Sequence, residues 1–148
     1  MTEKAITFKF LNCLLKKLSF SSKKPTREIN EISIDPKIGM SWKCDNEKSL
    51  LAVSLALDIN EDDLPFMMSI VMEGIFELDC IDVSDERKER LAIINCGAVL
   101  FPFVREVIAN ITMRTGNAPL LLPSVNFFNV YNVIVEDKKK ATSSNKKT

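Results

Sequence analysis

The chain contains no histidine, and that absence removes a good deal of chemistry. Histidine is the commonest metal ligand and the side chain that titrates near neutrality when unperturbed. A Ser-His-Asp triad, a Cys-His pair and a His-based zinc site are all excluded. Glycine is scarce. Gly39, Gly74, Gly97 and Gly116 are the whole set, and no two lie close together. Neither GxxxxGK nor GxGxxG can be written with them, so the common phosphate-cradling loops are missing. An excess of one charge is missing too. Lys+Arg and Asp+Glu both number 20, for a formal net charge of zero. The overall field that draws a protein to nucleic acid is absent, and no nucleic-acid partner is expected.

Cysteines stand at 13, 44, 80 and 96, with no CxxC pair, so a cysteine metal site is not expected. Long apolar runs are also lacking. The longest candidate, Leu91 to Val104, is interrupted by Asn95, Gly97 and Pro102, short of the roughly 20 residues that span a bilayer. The first apolar stretch is broken by Lys4, Lys9 and Asn12 and does not read as a secretory signal. These features lead to the expectation of reduced thiols, a cytoplasmic location and no membrane insertion. For an enzyme, only Cys13, Cys44, Cys80, Cys96 or a pair such as Asp79 and Asp82 would remain. Cys80 is flanked by acids, which do not depress a thiol pKa, and Cys96 lies in an apolar run. No motif assembles base, nucleophile and oxyanion donor. The expectation is a non-enzyme with no cofactor and no metal.

What is present suits one domain: 148 residues, 46% of them hydrophobic. The first half reads as strand. An apolar stretch from Thr7 to Phe20 ends at the breaker-rich Ser21-Ser22-Lys23-Lys24-Pro25. A second extended region, Ile29 to Trp42, is interrupted by Pro36 and Gly39. Leu51, Val53, Leu55, Leu57 and Ile59 alternate with smaller or polar residues, as a half-buried strand requires. After the polar turn Asn60-Glu61-Asp62-Asp63, a fourth strand runs from Phe66 to Phe76. Short polar links between strands argue for an antiparallel sheet.

The second half reads as helix. Ser84 or Asp85 is a candidate cap, and Gly116 a candidate stop. Between them, Leu100, Val104, Val107 and Ile111 lie on one helical stripe, with Phe101, Ile108 and Phe103 beside it. So wide an apolar arc needs cover on more than one side, and a second copy of the chain would supply it. Pro119-Leu120-Leu121-Leu122-Pro123 is held extended by its prolines. Asn126 is placed to cap a last helix carrying Phe127, Val130, Tyr131 and Ile134. From Asp137 the lysine-rich end reads as a disordered tail, residues 137–148, following a single domain over 1–136.

Several of these segments resemble the SecB-like protein-export chaperone family. Residues 66–76 (FMMSIVMEGIF) resemble its last strand, Leu100-Phe101-Pro102-Phe103-Val104-Arg105-Glu106 the start of its long helix, and Thr115-Gly116, Pro119 and Val125-Asn126-Phe127 its crossover loop and last helix. Residues 7–20 are similar to its first strand. The resemblance implies an α+β fold: a four-stranded antiparallel sheet with a long helix and a shorter C-terminal helix packed on one face. It implies a homo-oligomer, a dimer of dimers, with Leu100, Val104, Val107, Ile108 and Ile111 in the interface. It also implies an ATP-independent holdase for unfolded or pre-export polypeptides. Its groove would hold Ile34, Leu120, Leu121, Leu122, Val125, Phe127 and Phe128, over a floor of Phe66, Met68 and Phe76.

One surface departs from the family pattern. Acidic side chains that dock the translocation motor SecA in the family align with Lys17, Ser21 and Ser69, while the apolar member is kept as Met67. Charge complementarity sets partner choice, so motor docking is expected to be weak or absent. An alternative use is a chaperone dedicated to an antitoxin of a toxin–antitoxin pair, which needs the groove and not the motor face. A further alternative is an adaptor that binds one folded partner.

Overall fold

The computed structural model describes residues 6–24, 34–79, 82–116 and 118–145. Four strands, β1 (Phe8–Ser22), β2 (Lys37–Asp45), β3 (Leu50–Ile59) and β4 (Phe66–Leu78), form one antiparallel sheet in the order β1-β4-β3-β2. A continuous helix, α1 (Asp85–Thr115), and a last helix, α2 (Phe127–Asn145), follow. Both helices lie on the same side of the sheet.

The alternation in β3 does what its period requires. Leu51, Val53, Leu55, Leu57 and Ile59 are buried, and their even-numbered neighbours face the other way. In β4 the even positions from Phe66 to Leu78 are buried, and Gly74 among them lies against Leu100 of α1. Gly39 does not interrupt β2; it pairs with Ala56 inside the strand, where small residues oppose each other. Residues 29–33 of the expected extended region lie outside the described residues.

Ser84 caps α1, its Oγ accepting from Arg87 N–H at 3.2 Å, and Asp85 and Glu86 complement the helix dipole in the first turn. The helix passes through a π-helical stretch at Leu91–Cys96 and ends as a 3-10 turn at Gly116, which is left-handed (φ 85°). At 31 residues it is long and apolar enough to cross a membrane, which the interrupted run had not suggested. Half of its most apolar window is nevertheless buried against its own chain, as in the core helix of a soluble protein.

Leu100, Phe101, Val104, Ile108 and Thr112 form the buried stripe of α1. A Cβ on Gly74 would stand 2.5 Å from Leu100 Cδ2, so this glycine lets the helix sit close on the sheet. The last helix does not stop at residue 136. It continues to Asn145, with Thr142 Oγ1 donating to Lys138 O at 2.9 Å and Lys138 paired to Glu89 of α1. Good helix formers and that cross-helix pair extend it into the stretch expected to be a tail.

Candidate functional site

An apolar cleft of about 610 Å³ opens between the start of β2, the crossover segment and α2. Ile34, Pro36 and Ile38 form one wall. Val130, Val133 and Ile134 of α2 form the other, with Pro123 and Val125 at one end and Asp35, Asn126 and Asn129 as polar members. The α2 start is set by Asn126, whose Oδ1 accepts from Phe128 N–H at 3.0 Å.

The crossover is fixed by one hydroxyl. Buried Thr112 Oγ1 donates to Ile108 O at 2.8 Å and accepts from Leu120 N–H at 2.8 Å. An extended segment alternates its side chains, so fixing Leu120 decides the rest. Leu122 turns inward, 1% exposed, while Leu121 turns outward at 70%. Leu120 is half-buried.

The ten expected groove residues therefore separate. Ile34 and Val125 line the cleft. Leu121 and Phe128 are exposed close by in sequence, and Leu120 is half-buried. Leu122, Phe127, Phe66, Met68 and Phe76 are core: the three on β4 because a strand face beneath a helix is already covered, Phe127 because it packs on Phe101, and Leu122 because the crossover turns it inward. Ile38, Val130, Val133 and Ile134 were missed. The signal for the three on α2 was their β-branching, which reads as poor helix propensity rather than as a wall, and Ile38 had none beyond its place in β2.

The expected interface residues also divide. Leu100, Val104 and Ile108 are fully buried within one chain. Val107 and Ile111 instead line a hollow of about 450 Å³ with Cys13, Leu15, Leu18, Met72 and Phe103, between α1 and edge strand β1. Beyond the helix, Phe10, Leu15, Leu18 and Phe20 remain exposed on the helix-bearing face of β1.

Lys17, Ser21 and Met67 are exposed on the opposite face of the sheet, with Ser69 half-buried there. Ser69 Oγ donates to Asp58 Oδ1 at 2.5 Å, and Asp35, Asp58 and Glu61 share a hollow with Ser21, Met67 and Ser69. An acid absent from β4 at Ser69 thus stands on β3 beside it. The signal was the register that sets Asp58 against Ser69.

The thiols are poor nucleophiles. Burial pushes Cys96 up to about 12 and also raises Cys13. Cys13 and Cys96 are free, but Cys44 is disulfide-bonded, which corrects the expectation of four reduced thiols. Cys80 lies outside the described residues. Asp79 and Asp82 are exposed. Among the described residues, no group of His, Cys, Asp and Glu is placed to hold a metal ion.

Comparison with known proteins gives a consistent result. The family profile described as "Preprotein translocase subunit SecB" matches residues 1–138. The protein-export protein SecB of Bartonella bacilliformis is 30% identical over 146 residues, covering 93% of this chain and 90% of that protein. That of Orientia tsutsugamushi (strain Boryong) is 28% identical over 120 residues, covering 76% and 74%. A similar fold is seen in a SecB-like chaperone of Mycobacterium tuberculosis, solved in complex with a ChAD peptide from the HigA1 antitoxin. Its TM-score is 0.70 at 14% identity, over 80% of this chain and 90% of that one.

Proposed function

The chain belongs to the SecB family, and from that premise we propose that it is a cytoplasmic, ATP-independent holding chaperone for unfolded or pre-export polypeptides. The observation that carries the reading is the open cleft walled by Ile34, Ile38, Val130, Val133 and Ile134. An unfolded client exposes apolar side chains, and burying them in such a cleft yields about 25 cal/mol per Å². Branched aliphatic walls with few polar groups recognise no particular sequence. Leu121 and Phe128 supply further exposed apolar surface. The mechanism is binding alone, with no catalytic step and no cofactor.

The hollow between α1 and β1 supports a homo-oligomer. A second copy laid on Phe10, Leu15, Leu18 and Phe103 would cover apolar surface that one chain leaves in water. In this reading Val107 and Ile111 belong to the interface, while Leu100, Val104 and Ile108 support it from within.

A second reading is a chaperone dedicated to an antitoxin, without docking to the translocation motor. Lys17, on the outer face, favours it because a cation stands where the motor would meet an acid. The mycobacterial structure holds an antitoxin peptide on the same fold. An adaptor for one folded partner would not need the cleft.

The test is light scattering of two unrelated proteins diluted from denaturant, with the chaperone at equal concentration and no nucleotide. Suppression of both aggregations is expected. Suppression of neither would overturn the holdase reading.

A further inference from the structure

The last helix is held by one side and lines the cleft with another. At 3.6 residues per turn, Val130, Val133 and Ile134 face Ile34 and Ile38, while Phe128, Tyr131 and Lys138 lie on a different side. That second side meets the first turns of α1. The Arg90 guanidinium stands 5.2 Å from the centroid of the Phe128 ring and 5.6 Å from that of Tyr131. Two turns farther along, Lys138 pairs with Glu89, the neighbour of Arg90. At the base of the helix, Phe127 is locked in the core, its ring 5.7 Å from that of Phe101 in an edge-on contact. The helix therefore has a buried apolar pivot at Phe127 and a polar, partly exposed clasp above it.

We propose that Arg90 is a positioning residue for the cleft: its stack on Phe128 and Tyr131, backed by the Glu89–Lys138 pair, sets how far α2 stands from β2 and so the size of apolar side chain the cleft admits. The proposal rests on the cleft being the client site. The physical asymmetry is in the forces. The pivot is buried and insensitive to salt, whereas the ion pair, open to water at Lys138, is weakened by it. A planar guanidinium spans two rings at once; an amide lacks the charge that attracts them, and lysine keeps the charge in a smaller head group. None of the clasp residues lines the cleft itself, so an effect of Arg90 on which side chain the cleft admits passes through α2, whereas an effect through the exposed Phe128 ring would weaken both peptides alike.

The experiment compares wild type with Arg90→Gln, Arg90→Lys and Glu89→Gln. Amide hydrogen exchange of residues 130–138 is measured in the free proteins, with β3 and residues 97–112 as internal controls. Binding is then measured with two labelled extended peptides that differ only in alanine or phenylalanine at alternate positions. Partly exposed cation–π contacts of this kind predict about threefold to tenfold faster α2 exchange in Arg90→Gln, with the controls unchanged. Preference should shift toward the phenylalanine peptide, and Arg90→Lys should restore both readouts in part. Unchanged α2 exchange in Arg90→Gln would overturn the clasp. Faster exchange with an unaltered peptide preference would overturn its role in sizing the cleft. If wild type binds neither peptide, the client reading itself fails, and the exchange data still decide whether the clasp holds the helix.

Discussion

Phe127 packs against the bare Cα of Gly97: a Cβ at that position would stand 2.7 Å from its Cδ1 and 3.1 Å from Met40 Cε. One missing methyl group on α1 thus seats the first residue of α2 and, through it, one wall of the cleft.

Gly97→Ala should destabilise the protein by about 1–3 kcal/mol, the usual cost of overpacking a filled site. In a Phe127→Ala background the main obstacle is gone, and what remains is the flexible end of Met40, which can give way. There the same change should be neutral or stabilise by up to about 1 kcal/mol, since alanine favours helix over glycine. Denaturant unfolding of the four proteins in this cycle reads the change of sign.

Leu121 and Leu122 are neighbours with opposite fates. Leu121→Ser should leave stability within about 0.5 kcal/mol and weaken client affinity, because an exposed side chain has little to lose on folding. Leu122→Ser should cost roughly 2–5 kcal/mol, as for other large-to-small changes in a core. Thermal unfolding paired with titration of an unfolded client separates the two.

Cys96 carries a thiol that burial pushes to about 12, against an ordinary value of 9.0. Below the ordinary value both folded and unfolded states keep the proton. Between the two values the unfolded chain releases it and the folded one does not, so stability falls as pH rises through that window. Cys96→Ala should flatten the fall between pH 9 and pH 11 in denaturant midpoints. Cys96 should also resist alkylation at pH 8 until the protein unfolds.

Leu18 sits on the helix-bearing face of β1, beyond the cover that α1 provides. Leu18→Asp would place a charge in the proposed contact between copies, and light scattering coupled to size exclusion should report a smaller species. An unchanged mass would remove β1 from the interface.

Much of the fold was legible because its periods are clean. In β3 every second residue is a large aliphatic, and that pattern has one interpretation. Ser84 and Gly116 announced both ends of α1. β1 was harder to read. Register shifts between Phe10 and Asn12 and between Leu15 and Lys17 move its inward residues to Phe10, Cys13, Leu15, Leu18 and Phe20, which no period-two template fits. The site was legible as a region and not as a residue set. Which leucine of the triple turns inward depends on the hydrogen bond from Leu120 N–H to Thr112, across the crossover turn. The cleft walls Ile34 and Val133 are 99 residues apart by their numbering, and only the packed helix brings them together. The buried stripe of α1 runs through Ile108 and Thr112, not Val107 and Ile111, because the sheet lies on that side.

Photocrosslinking to an unfolded protein, from single positions bearing a photoreactive side chain, decides whether clients lodge in the cleft. Val133 represents the cleft wall, Leu121 the exposed crossover segment beside it in sequence, and Ser54 the opposite face of the sheet. Client adducts are expected from Leu121 and Val133 and none above background from Ser54. Adducts from Ser54 alone, or equal yields from all three, would contradict client binding in the cleft.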